Sequence, residues 1–138
     1  VWTIRYLENR TSGRAERGSA AIERVIAIGV LSYCVPRCRL RERFFHIEHF
    51  SYKQHCRFVN QNLRIISRVI VHPQFRSLGL STILVRHLCK HCPTRYVESI
   101  AMMARAHPFF ENAGMTRIDP DDPRQPVYFI FDRRHASV

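Results

Sequence analysis

Residues 65 to 91 constrain the fold more than any other stretch of the chain. Ile65 to Val71 is apolar on both faces apart from Ser67 and Arg68. Such a run needs cover above and below, which is the signature of a central strand. His72-Pro73 keeps the backbone extended beyond it. Arg76-Ser77-Leu78-Gly79-Leu80-Ser81-Thr82 then turns the chain into a helix expected from Leu80 to His91 and stopped by Pro93. Tyr96 to Met103 reads as a second strand and Ala106 to Ala113 as a short helix. Pro108 sits in the first turn of that helix and Gly114 at its stop. Val127 to Phe131 makes a last apolar strand. Strand, helix, strand, helix, strand at these spacings predicts parallel pairing in an α/β (α+β) sheet.

The first half is less regular. Trp2 to Leu7 reads as a strand and residues 9 to 21 as a polar loop. Ile22 to Val35 reads as a longer strand ending at Pro36, with Leu40 to Ile47 as its hairpin partner. Phe50 to Asn62 repeats Phe50, Gln54, Phe58 and Asn62 at intervals of four, which predicts a helix. The 138 residues suit one domain, 1–138, with a real core. No apolar run is long enough to cross a bilayer, so no membrane association is expected. The chain starts at Val1 rather than Met, which suggests a trimmed chain or a piece of something longer.

The net charge is +11, and apart from Lys53 and Lys90 all of the basic side chains are arginines. Arginine's planar fork suits phosphates and carboxylates, so a nucleic acid, an acidic protein face or a phosphorylated ligand is a plausible partner. The same charge also suits a solvated surface. Arg37, Arg39, Arg41 and Arg43 alternate with other residues, and an extended strand would put all four on one face. Five cysteines are an odd number, which fits a reducing, cytoplasmic setting better than a disulfide framework. Cys34-x3-Cys38 and Cys89-x2-Cys92, with His46, His49, His55, His87 and His91, invite a zinc reading. Helical periodicity opposes it, because Leu84, Val85, Leu88, Cys89 and Cys92 share one stripe that should face the core. We therefore assign no metal.

The loop from Arg76 to Thr82 has the parts of an anion site. Amides at the start of a helix lack intrahelical partners and sit at the positive end of its dipole. Gly79 permits close backbone approach. One glycine is too few for a dinucleotide fingerprint, and the loop lacks the Gly-Lys-Ser/Thr ending of a Walker loop. By itself, with one glycine, it is better read as an ordinary strand-to-helix turn.

The joint pattern is more specific. "RVIVHPQFRSLGLSTILVRHL" resembles the signature of the GNAT superfamily of N-acetyltransferases, with Arg76-x-x-Gly79-x-Ser81 at its loop. "HPFFENAGM" resembles the second landmark of that family, with Phe109, Phe110, Glu111, Gly114 and Met115. The likeness is strongest to the acetyltransferase domain found fused to an ABC-type ATPase. It covers residues 63–131, and leaves 1–62 as a divergent acceptor-side half. It implies a mixed, centrally splayed sheet flanked by helices, and acetyl-coenzyme A as co-substrate. The amides of Ser77, Leu78, Gly79, Leu80, Ser81 and Thr82 would hold the pyrophosphate. The backbone of Val69, Ile70 and Val71 would hold the pantetheine and the acetyl carbonyl. The acceptor would be a primary amine on a small molecule, a protein or an RNA.

The resemblance also exposes departures. Phe110 stands where many relatives have the tyrosine that protonates the leaving thiolate, and a phenyl ring gives no proton. His107 is the nearest substitute acid. Glu98 is the best-placed candidate base, since burial raises the proton affinity of a carboxylate. The competing reading makes Glu98 the ion-pair partner of Arg68, and Glu48 is a further acid near the acceptor side. Residues 9–21 are too short and too polar for the family's helices between its first two strands. Two functions follow: acetyl transfer to an amine, or a catalytically silent coenzyme A-binding or docking module of a nucleic-acid-associated ATPase. A zinc-dependent nucleic-acid binder is a third.

Overall fold

The computed structural model describes residues 1–8 and 22–135. Six strands form one sheet: β1 (Trp2–Glu8), β2 (Ile22–Ser32), β3 (Leu63–Val71), β4 (Tyr96–Ala101), β5 (Thr116–Ile118) and β6 (Val127–Asp132), in the spatial order β1-β2-β3-β4-β6-β5. Four helices accompany them: α1 (Arg39–Phe45), α2 (Tyr52–Asn62), α3 (Leu80–His91) and α4 (Phe109–Asn112). None is long and apolar enough to cross a membrane. The polar stretch 9–21 lies outside the described residues.

Alternation along the strands sorts side chains onto two faces. On one face, Ala27, Ile66, Val97, Val127 and Phe129 pack against Leu84, Val85, Leu88 and Cys89 of α3, Phe110 of α4 and Ala113 just after it. The expected helix stripe is buried as a unit, including Cys89 and Cys92 at 0% and 1% exposure. Gly29 belongs to this face because a Cβ there would meet Leu88 Cδ1 at 2.8 Å. On the other face, Leu63, Tyr128 and Ile130 pack under Val59 and Phe58 of α2 and Leu40 and Phe45 of α1.

α1 overturns the hairpin expected from Leu40 to Ile47 and the four-arginine strand face with it. Glu42 fixes the helix start, accepting from the Cys38 amide at 3.2 Å and from Arg37 Nε at 2.7 Å. Arg41 is fully buried and Arg39 exposed, so these guanidinium groups do not share a face. α2 begins on a capping box: the Ser51 amide donates to Gln54 Oε1 at 2.7 Å and the Gln54 amide returns to Ser51 Oγ at 3.4 Å.

The parallel expectation holds for β3 and β4 alone. β6 runs antiparallel to β4, and the three-residue β5 on its far side, unforeseen in the sequence, is the strand that α4 leads into. The β4 strand ends at Ala101 rather than Met103, and the last helix is shorter than expected.

The β3–β4 pairing shapes everything that follows. Only Leu63, Arg64 and Ile65 pair with Tyr96, Val97 and Glu98, although β3 continues to Val71 and β4 to Ala101. Beyond that point the strands part. On its other side β3 stays paired with β2 as far as Val71, with Ser67 as the extra residue of a bulge between Arg68, opposite Val30, and Ile66, opposite Leu31. At the vertex, Ser99 Oγ donates to the Ile66 carbonyl at 3.5 Å.

Candidate active-site cleft

A cleft of about 930 Å³ opens where β3 and β4 diverge. Val69, Ile70 and Val71 form one wall, Arg76, Ser77, Gly79, Leu80 and Ser81 its mouth, and His107, Pro108, Phe109 and Asn112 the side opposite. The sequence singled out two separate segments, and the fold brings them to one cavity. Leu78 and Thr82 belong to the mouth segment without lining the cleft; Leu78 is 63% exposed.

The mouth is built for an anion. Ser77 and Gly79 both adopt φ of 72°, with Leu78 between them. Alternating left-handed residues turn successive amides toward one concave side, the geometry of an anion nest. Ser77 holds this conformation without glycine's freedom, a strain found mostly at functional sites. Gly79 is also the N-cap of α3, and no side chain caps that helix. Among the described hydrogen bonds none engages the amides from Ser77 to Thr82. A Cβ at Gly79 would meet no atom within 4 Å, so the concavity is open. These are the features a pyrophosphate requires: free donors, the positive end of a dipole and room.

The wall has a complementary property. Beyond Ile65 no strand among the described residues pairs with β3 on its β4 side, which leaves the backbone of Val69 to Val71 on that edge without a ladder partner. Val69 and Val71 direct their side chains into the α3 core, while Arg68 and Ile70 lie exposed on the reverse face. The donor edge is held rigid from behind by β2.

The proton-handling candidates are dispersed. His107 lines the cleft. Phe110 does not: it is 4% exposed and stacks on Phe129 at 4.9 Å, and of the two adjacent phenylalanines it is Phe109 that reaches the cleft. Glu98 is also outside the cleft lining and 0% exposed. Its partner is Arg41, not Arg68: Arg41 Nε donates to Oε2 at 2.8 Å and Nη2 to Oε1 at 2.6 Å. Tyr128 donates its hydroxyl to Oε2 at 2.9 Å. Burial, and then the Glu98 charge, push the Tyr128 phenol well above its ordinary range. Burial works against the Arg41 charge, but the Glu98 bonds outweigh it and hold the guanidinium proton more tightly than usual. Glu48 is exposed and does not line the cleft.

Sequence reasoning missed Arg41, because an arginine in an Arg-x-Arg-x-Arg run carries no mark of burial. It also missed Asn112 and Phe75 in the cleft. The thiols and imidazoles do not assemble; no group of three or more metal-ligating side chains occurs among the described residues. Burial pushes the Cys89 thiol up to about 12.

Comparison with known families places this geometry in context. The model of the family described as acetyltransferase (GNAT) matches residues 27–115, more than half of the chain and inclusive of the whole cleft. No curated protein matches the sequence.

Proposed function

The chain belongs to the GNAT acetyltransferase family, and from that premise we propose that it transfers the acetyl group of acetyl-coenzyme A to a primary amine. The observation that carries this reading is the splay itself, an unpaired strand edge ending in an uncapped helix start with two left-handed residues. The co-substrate supplies an activated thioester. The amides of Ser77 to Thr82 bind the diphosphate through hydrogen bonds and the α3 dipole. The free edge of Val69 to Val71 orients the extended arm and offers a donor to the carbonyl oxygen, which becomes negative during attack. Pro108 and Phe109 exclude water from the opposite side.

Proton transfer falls to His107, the one imidazole lining the cleft. Both carboxylate oxygens of Glu98 are engaged by Arg41 and Tyr128 behind the vertex, which supports a structural role for it. The second reading, coenzyme A binding without transfer, draws on one observation: no tyrosine lines the cleft, and the buried Tyr128 hydroxyl is bonded to Glu98. Calorimetric titration with acetyl-coenzyme A, followed by thiol-release assays on an amine panel, separates the two. Binding with turnover supports transfer, binding alone supports the silent module, and the absence of binding rules out both.

A further inference from the structure

The reverse face of the splay is open and carries a single sign of charge. α1 and α2 cover that face over Leu63, Ile65, Tyr96 and Tyr128, and Arg41 of α1 extends the cover to Glu98. Beyond their cover lie Arg68 and Ile70 on β3 and Ile100 on β4, all exposed, Ile70 at 54% and Ile100 at 37%. Arg68 and Ile70 sit past the last β3–β4 pair, on the divergent part of the strand that walls the cleft. Ile100 stands on the same face of β4 as Glu98, two residues further toward the opening.

Arg68 has no acidic partner among the described residues. Its recorded bond is from Nη1 to the neighbouring Ser67 carbonyl at 3.1 Å. Apart from Glu48, every carboxylate whose side chain is described is within ion-pair distance of another arginine, and Glu98, on this face of β4, is consumed by Arg41. An exposed guanidinium two residues before an exposed isoleucine on the same strand, with donors to spare, matches a monoanion on an apolar body. A polycationic acceptor would meet Arg68 with nothing to offset the repulsion.

We propose that the acceptor is an amine carrying its own carboxylate beside an apolar side chain, an amino acid of the leucine type, with Arg68 pairing the carboxylate and Ile70 and Ile100 receiving the side chain. The inference rests on the acetyl-transfer reading above. The reaction forms a nitrogen–carbon bond to the acetyl carbon and breaks its carbon–sulfur bond. Of the two protons the ammonium loses, one ends on the leaving thiol and one in solvent.

The test compares leucine, leucinamide and spermidine as acceptors by thiol release, with acetyl-coenzyme A affinity measured separately by calorimetry. Wild type is expected to favour leucine over leucinamide in kcat/KM by about 10- to 100-fold, the worth of one charge-assisted contact. Arg68→Ala should erase that preference with the loss falling on KM and acetyl-coenzyme A affinity retained. Arg68→Glu should invert it. Equal or better turnover of leucinamide or spermidine by wild type overturns the proposal. So does an Arg68→Ala enzyme that still discriminates, or acetyl-coenzyme A binding without turnover of leucine. Failure to bind acetyl-coenzyme A sinks the acetyl-transfer reading itself, and this assignment with it.

Discussion

Arg41 of α1 and Glu98 of β4 form a two-point ion pair in which both side chains are 0% exposed. The remaining guanidinium nitrogen donates to the carbonyls of Val35 and Pro36 at 2.8 and 3.3 Å. This one side chain therefore ties the segment leading into α1 to the strand at the vertex of the splay. A buried pair of this kind is costly to break because the survivor keeps its charge without a partner.

Arg41→Met should accordingly destabilise the protein by about 3–5 kcal/mol in urea denaturation. Adding Glu98→Met should recover most of this, leaving a deficit of about 1–3 kcal/mol because the Tyr128 hydroxyl loses its acceptor. A single variant as stable as wild type would show that the pair does not hold α1 to the sheet.

Gly79→Val forces a β-branched residue to φ of 72° in open space, so its cost is conformational rather than steric. Stability should fall by about 1–2 kcal/mol. Acetyl-coenzyme A affinity should fall further, by more than about tenfold, because the amides that cradle the diphosphate turn away. Calorimetry beside a thermal melt resolves the two effects; unchanged affinity would remove the mouth from the binding site.

His107→Gln keeps a hydrogen-bonding side chain but cannot cycle a proton near neutrality. We expect kcat to drop by about 100-fold or more, with acetyl-coenzyme A affinity held within about twofold. The pH–rate profile should also change shape, because the group that moves the proton is gone. A variant with the wild-type profile would move proton transfer to solvent.

Buried thiols predict the alkaline behaviour. Cys89 is held neutral by burial up to about 12 against an ordinary 9.0, and burial pushes Cys34 and Cys38 in the same direction. A group with a raised folded pKa contributes its stabilisation fully below the unfolded value and loses it as pH climbs toward the folded one. Stability should therefore be level in these groups below pH 9 and decline above it, by about 1.4 kcal/mol per pH unit for each fully buried thiol. Urea midpoints from pH 8 to 11 report the slope, and Cys89→Ala should shallow it.

The second half of the chain was legible because its signals are local. Gly79 at the helix N-cap, Pro93 after α3 and the α3 stripe each state their conformation within a few residues, and α3 begins and ends where the sequence placed it. The first half was not, for two physical reasons. Over seven residues, Arg39 to Phe45 alternate well enough for a strand and repeat well enough for a helix, and only packing against Tyr96 and Phe58 decides. The partner of Glu98 is 57 residues away in sequence, so no pattern in β4 points to Arg41 rather than Arg68. Strand direction failed similarly, since β5 is three residues long and too short to announce the reversal into β6.

A strand edge left unpaired is ordinarily a hazard, since any other extended chain can add to it and seed aggregation. Here the two bare edges face one another within a single sheet, and the ladder to β2 closes the far side of β3. Only a slender arm with its own amides, too thin to bring a strand of side chains, can enter between them. If the gap admits the acetyl-coenzyme A arm as proposed, it also filters against self-association, and filling it should make the protein slower to aggregate on heating as well as more stable.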